Sequence, residues 1–281
     1  MLTAILDTDN STVIGEFIEK NKANSYRCSF CSKSVIHHKS DSREKIGHFK
    51  HRPGESHCPN QIRETEEHIR TKLDIYEYIK EGWGAKLKVL EIEKWICNNS
   101  MRPDVYIETS RNRIAIEVQA TALTVDEIKR RTSNYYKNGI AVLWVMPYYF
   151  HRFNEYKYQA EGYNEEECDY GWSYRPSVKL KSMELFLHWA YFKNLYFWEH
   201  ERINSNGFIQ VELDRYVGED VEFRRDGEDH YYHGKTAKTV KIIRSIRCDI
   251  AFDEFSVTVA KEYDVPQTNY SVPVRRLFAV R

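Results

Sequence analysis

Residues 102–120, RPDVYIETSRNRIAIEVQA, constrain the fold more than any other stretch. Two β-like runs, 103–109 and 114–120, flank a polar TSRNR turn, so the segment reads as a hairpin. Period-two geometry sets Ala115, Glu117 and Gln119 on one face of the second run, with Ile116 and Val118 facing the other way. A glutamate among such apolar neighbours is costly unless it is paired or used. Asp104 opens the first run, directly after Arg-Pro. Two readings follow: a surface hairpin that happens to carry charges, or a hairpin built to present a metal-binding pair.

The flanking segments set the class. From residue 61 to about 81, Ile62, Ile69, Leu73, Tyr76 and Ile79 recur near the helical period, and Gly82 and Gly84 then end the pattern. A β-like run at 86–97 leads into the hairpin. Residues 124–138 open on a Thr124…Glu127 capping box, carry Val125, Ile128, Thr132 and Tyr135 as an apolar stripe, and stop at Asn138-Gly139. The run IAVLWVM, 140–146, is wholly apolar and ends at Pro147. The order helix, three strands, helix, strand predicts an α/β core with an antiparallel hairpin followed by a crossover. Beyond it, 148–172 reads as an aromatic, acidic loop and 183–198 as an aromatic helix. FIQVEL, KTVKIIRSI and FSVTVAKEY read as strands of a small β-rich module. Three zones result: 1–60, 61–147 and 148–281.

Charge excludes one class of partner-binding. Lys plus Arg and Asp plus Glu are both 42, so there is no global basic footprint, and any nucleic-acid contact must come from a local patch. No run of about 18 apolar residues predicts a membrane helix. The opening MLTAILDTDNSTVIGEFIEK lacks a basic segment followed by an apolar block, so no secretory signal is read and the cytoplasm is the expected compartment.

Three of the six cysteines, Cys28, Cys31 and Cys58, fall early, among histidines. Cys97, Cys168 and Cys248 are scattered, which argues against a disulfide framework. Cys28-x2-Cys31 followed by His48-x2-His51 provides two close pairs of soft or borderline donors, as tetrahedral zinc requires. Cys28, Cys31 and His51 are the first three candidates, with His48 or Cys58 as the fourth. His37, His38 and His57 are read as bystanders. A full protein ligand set implies a structural zinc rather than a catalytic one.

Phosphodiester cleavage assisted by metal needs oxygen ligands beside the scissile phosphate. One recurrent arrangement takes an Asp from the start of one strand, a Glu from the next, and a lysine two residues after that Glu. Asp104 and Glu117 fit it; Gln119 stands in the lysine's place. Glu64, His68 and Lys72 stand at i, i+4 and i+8 on the first helix, either as a solvated ladder or as an acid, a histidine and a lysine delivered to one cleft.

Taken in order, YRCSFC, HFKH, RETEEHIRTK, RPDVYI and IAIEVQATALTVDEIKRRTSNYYKNGIAVLWVM resemble the CoiA-like competence proteins. The resemblance covers roughly residues 26–147 and extends more weakly through LFLHWAYFKNLYFWEH. It implies a restriction-endonuclease-like, PD-(D/E)xK-type nuclease core behind an N-terminal zinc-finger-like segment. In that frame Asp104 and Glu117 hold Mg²⁺ or Mn²⁺ together with the Val118 carbonyl, and Glu64 is the acid of the first helix. Gln119 orients water without supplying charge, and Lys72 becomes the candidate for the missing cation. Arg131 and Tyr135 match the family's Arg–Thr…Tyr pattern; Arg131 either touches phosphate or anchors Glu117, Tyr135 belongs either to the site or to the core, and His68 and Arg131 are the expected substrate contacts. Lys45, Lys50, Arg52 and Arg63 would guide a nucleic-acid backbone. The expected activity is metal-dependent hydrolysis of DNA, in DNA processing or anti-phage defence. The alternatives are a non-cleaving DNA-binding accessory protein and an effector active only with a partner protein, docked through the C-terminal region.

Overall fold

The protein is described here from a computed structural model. It covers residues 1–21, 23–39, 45–54, 58, 64–148, 177–199, 207–217, 221–225, 227–232, 236–265 and 271–280. Ile62, His57, Arg63, Cys168 and the loop read at 149–172 lie outside the described residues.

Five short strands come first: β1 (Thr3–Leu6), β2 (Thr12–Ile14), β3 (Tyr26–Arg27), β4 (Ser34–His38) and β5 (His48–His51). They form an antiparallel sheet in the order β2-β1-β3-β4-β5. Its apolar face is small, built on Ala4, Tyr26, Val35 and Phe49 with Cys28 and Cys58. So small a core gives little hydrophobic stabilisation, and a metal staple compensates in modules of this kind. Backbone crosses backbone at Gly15 and Gly47, where a side chain on Gly47 would collide with the Gly15 carbonyl.

Helix α1 (Glu66–Trp83) follows. Thr65 caps it, its hydroxyl accepting the His68 N–H at 3.3 Å. The helix therefore starts later than the apolar period suggested, and Glu64 precedes it instead of lying on its face. It also runs through Gly82, and Gly84 sits in the right-handed region, opening a short 3-10 turn (Gly84–Lys86). Strands β6 (Leu87–Ile92), β7 (Val105–Thr109) and β8 (Arg113–Val118) form the expected meander. The β7–β8 turn closes through the Thr109 N–H on the Asn112 carbonyl, 2.9 Å. Helix α2 (Val125–Lys137) is capped by Thr124, but the Glu127 carboxylate is taken by Arg130 and Arg131. Strand β9 (Ile140–Pro147) then pairs in parallel with β8.

Every residue of β9 is buried, as an all-apolar strand covered on both faces requires. Its second edge is shared. Strand β19 (Arg275–Val280) pairs at Val142, and β11 (Asn194–Glu199) pairs at Met146 and Pro147. Between them the Tyr191 hydroxyl accepts the Trp144 N–H at 2.9 Å and donates to the Val142 carbonyl at 2.8 Å. One side chain thus satisfies two backbone groups that two partner strands leave open.

The C-terminal strands differ from their sequence reading. Helix α3 (Ser182–Ala190) is shorter than expected, because Phe192 and Lys193 adopt left-handed backbone angles. The aromatic run that follows becomes β11, in keeping with the strand preference of such residues. The strands expected to form a small module instead widen the central sheet. Strands β10 (Ser177–Lys179), β12 (Gly207–Val217) and β15 (Thr236–Ile250) give the order β10-β15-β12-β11-β9-β8-β7-β6, and β16 (Phe255–Ala260) adds to β19. Two small hairpins, β13 (Val221–Arg225) with β14 (Glu228–Tyr232) and β17 (Tyr263–Asp264) with β18 (Ser271–Val272), complete the described elements. Among the described residues no helix is long and apolar enough to cross a membrane.

Candidate active site

Lys72 points from α1 into the protein and is fully buried. Its Nζ lies 2.7 Å from Glu64 Oε2, 2.6 Å from Glu93 Oε1 and 3.6 Å from Asp104 Oδ1. Arg102 adds a second cation, 3.6 Å from Glu64 and 3.7 Å from Glu93. Burial alone would drive the ammonium to its neutral form, but the charges of Glu93, Asp104 and Glu64 reverse this and hold it above its ordinary range. Burial likewise opposes ionisation of Glu93 and Asp104, and the Lys72 charge overrides it, so both carboxyls sit below their usual values.

Asp104 links this network to the hairpin. Its Oδ2 accepts the Val118 N–H at 2.8 Å, which ties the start of β7 to the end of β8. His68 Nε2 lies 3.2 Å from the same oxygen, is buried, and makes no hydrogen bond of good geometry there. Glu64, His68 and Asp104 each turn one donor atom into a group lying within 4.8 Å of one another. Two carboxylates and one imidazole, with two donor atoms about 3 Å apart, suit neighbouring ligands of an octahedral divalent ion with bonds near 2.1 Å. The donor chemistry fits a metal.

Glu117 is buried in β8 beside Asp104, since Ile116 of β8 pairs with Val105 of β7. The Tyr135 hydroxyl donates to Oε1 at 2.5 Å, and Arg131 reaches Oε2 at 3.2 Å. Burial, reinforced by the Asp104 charge, pushes its carboxyl up to about 7 despite those two partners. Arg131 is steadied in turn by Glu127 at 2.8 Å. Hydrogen bonds from Arg130 and Arg131 hold Glu127 down at about 2.

These side chains surround a cavity of about 360 Å³ lined by Glu64, His68, Asp104, Glu117, Arg130 and Arg131, with Val118, Gln119, Arg102 and Trp95 on its rim and walls. The structure therefore brings Glu64, His68, Asp104, Glu117, Val118, Gln119 and Arg131 to one place. It does not bring Lys72 there: the ammonium lies beneath the floor, and no lysine is among the lining residues described. Lys72 is thus an internal counter-ion, which corrects its expected role as the site's missing cation; among the described residues the guanidiniums of Arg102, Arg130 and Arg131 line the cavity. Nor is Gln119 poised over the cavity alone, since its amide donates to the Thr121 carbonyl. Val118 contributes its N–H to Asp104. Glu93 and Arg102 were not singled out from the sequence. Glu93 falls within the run 86–97 that reads as a strand, but β6 ends at Ile92, because Glu93 takes a left-handed backbone angle and the chain turns into a loop that carries Arg102.

A second cluster lies in the N-terminal sheet. Cys28, Cys31, His51 and Cys58 present donor atoms within 4.8 Å of one another. Cys28 Sγ and Cys58 Sγ are 3.7 Å apart, and Cys31 Sγ and His51 Nε2 are 3.9 Å apart. Tetrahedral zinc with Zn–S bonds near 2.3 Å would separate its sulfurs by about 3.8 Å, so the set fits zinc. The cluster takes Cys58 as the fourth donor. His48 lies outside it, its Nδ1 donating to the Ile46 carbonyl at 2.9 Å and its ring stacked on His38. Lys45, Lys50 and Arg52 are exposed on this sheet.

Residues 64–184 match the family model described as competence protein CoiA, nuclease-like domain. The resemblance read in the sequence is therefore shown for the segment holding the acids and the cavity, and the chain carries a region similar to that domain. The match begins after the Cys/His cluster. No curated protein and no solved structure matches the chain.

Two outcomes follow. Replacing Lys72 by Met leaves three buried carboxylates short of a counter-charge and lowers stability by about 3–5 kcal/mol at neutral pH, measured by denaturant unfolding. Carboxyls depressed in the folded state stabilise above their unfolded values and lose that contribution as pH falls through their folded ones. The gap between Lys72→Met and wild type therefore narrows below about pH 4. Metal analysis of purified protein finds about one equivalent of zinc, which Cys58→Ser loses and His48→Ala retains.

Proposed function

We propose that this chain is a metal-dependent nuclease whose 61–147 region is a PD-(D/E)xK-type core, with DNA as its substrate and residues 1–60 as a zinc-organised module. The observation that carries the reading is the convergence of Glu64, His68 and Asp104 on one point of a cavity faced by Glu117 and three arginines. The helix–meander–helix–strand order supports it, with Asp104 just before β7 and Glu117 within β8. So does the match to a nuclease-like domain.

Asp104 is the central ligand in this reading, with Glu64 and His68 on one side of it and Glu117 next to it on β8. A divalent ion held there supplies Lewis-acid polarisation of the phosphate and makes water a better nucleophile. The imidazole donor favours Mn²⁺ over Mg²⁺, which prefers an all-oxygen shell. The chain's own groups do the rest. Arg102, Arg130 and Arg131 seat the phosphate, whose negative charge they offset. Tyr135 and Arg131 fix the rotamer of Glu117, so that its carboxylate needs no reorganisation. The Val118 N–H fixes Asp104 in the same way. The Val118 carbonyl is the remaining ligand candidate, and Gln119 positions water.

One observation favours a second reading, a nucleic-acid-binding protein that does not cut. The lysine place holds Gln119, and Lys72 is sequestered beneath the floor. One assay separates the two: labelled DNA and RNA, single-stranded and duplex, with Mg²⁺ or Mn²⁺. A nuclease cleaves at least one substrate, better with Mn²⁺, and Asp104→Asn and Glu117→Gln reduce cleavage on the order of 100-fold or more without changing the folded state. Because Glu117 holds its proton to about pH 7, cleavage rises with pH through that region, and more metal moves the rise to lower pH. Binding without cleavage under all of these conditions leaves the second reading.

A further inference from the structure

Trp95 has no place in the metal chemistry, yet it lines the cavity beside Glu64, His68 and Asp104. It sits on the segment between β6 and β7, where Glu93, Cys97, Asn98 and Asn99 take left-handed angles (φ 54°, 52°, 56° and 58°). The Ile96 N–H donates to the Met101 carbonyl at 2.9 Å and closes the loop. Four non-glycine residues in that region cost energy that an ordinary connection would avoid. What the loop achieves is to carry an indole to the cavity wall. The bland alternative is a core tryptophan, but Trp95 is only half-buried and belongs to none of the three apolar clusters of the described residues.

Its surroundings are those of a base-stacking surface. Phe30, between the zinc-type cysteines Cys28 and Cys31, backs the indole with ring centroids 4.5 Å apart. The Arg102 guanidinium lies 5.8 Å from the indole centroid and also lines the cavity. An aromatic ring with a cation over it and acids beyond it matches one nucleotide, the base stacking on the indole beside the guanidinium and the phosphate meeting that charge. We propose that Trp95 stacks an unpaired nucleobase next to the scissile phosphate, so that the substrate is a strand with unstacked bases and not an intact duplex. A base inside a duplex reaches such a surface only after it is unpaired and unstacked, which costs a few kcal/mol. Phe30 makes the N-terminal module part of the substrate site through ring contact, independent of any charge it carries. The proposal rests on the nucleic-acid reading above.

The test is binding without turnover, by fluorescence anisotropy in Ca²⁺, of labelled single-stranded DNA, single-stranded RNA, a hairpin-capped duplex, and single strands each carrying one abasic site. Wild type binds single strands more tightly than the duplex. Trp95→Ala weakens single-strand binding roughly tenfold, Trp95→Phe less than about threefold, and Phe30→Ala by an intermediate factor, with duplex binding nearly unchanged. In wild type one abasic position reproduces the loss, and on that strand Trp95→Ala adds nothing further. Zinc content and thermal midpoint verify that the variants are folded; if Trp95→Ala fails to fold, the abasic scan on wild type decides alone. Preference for DNA or RNA identifies the source of the strand. Duplex bound as tightly as single strands, indifference to Trp95 substitution, or an abasic scan with no sensitive position overturns the stacking proposal while leaving a nucleic-acid enzyme in place. Failure of wild type to bind any nucleic acid overturns both.

Discussion

A single buried ammonium organises this molecule. Lys72 is out of water entirely, and an isolated charge in that position would be prohibitive. Three carboxylates make it tolerable, and each comes from a different part of the chain: Glu64 ahead of α1, Glu93 after β6, Asp104 at the head of β7. The network also reaches the N-terminal sheet, because Glu93 accepts the Leu2 N–H at 3.0 Å. With Arg102 included, two cations face three acids, leaving one net negative charge at the cavity floor. The lysine that the sequence suggested as the site's missing cation is instead what allows Glu64, Glu93 and Asp104 to converge.

The N-terminal module is joined to the core by this network and by the Phe30–Trp95 contact. Leu2 also packs with Leu73 and Ile92, so apolar contact accompanies the hydrogen bond. Loss of the Cys28–Cys31–His51–Cys58 cluster would therefore be felt at the cavity wall. The arginines across the cavity belong to α2, whose orientation follows from Ile128, Thr132 and Tyr135 packing towards the central sheet. Thr132 accepts a hydrogen bond from the Trp144 indole at 3.1 Å, tying α2 to β9.

Where local periodicity is strong, the sequence was a good guide. The hairpin with Asp104 and Glu117, the second helix and the apolar β9 lie where their patterns indicate, and the first helix is present with its start moved to Glu66. A glutamate amid Ile116 and Val118 is expected to be buried and paired, and Glu117 is, with Tyr135 and Arg131 as its partners. What was not legible depended on long-range partners or on loops. Helical spacing suggested Glu64, His68 and Lys72 as one row, but the Thr65 cap excludes Glu64 from the helix, and it reaches Lys72 from outside. Spacing alone could not choose between His48 and Cys58, since the choice depends on how β5 and the following turn fold back on the Cys28–Cys31 knuckle. Trp95 and Glu93 fall in a run, 86–97, that reads as a strand, whereas β6 ends at Ile92 and leaves them in the loop that follows. The run after Ala190 looked helical by composition, whereas its pairing with β9 and β12 makes it a strand.

In the proposed reading the acids above Lys72 hold a divalent cation. A crystal of the protein soaked in Mn²⁺ and measured at the manganese edge tests it most directly. The account predicts an anomalous peak bounded by Glu64, His68 and Asp104, on the side facing Glu117, and its disappearance in Asp104→Asn crystals. A well-ordered cavity with no peak at saturating Mn²⁺, or a peak that persists there without Asp104, would contradict it.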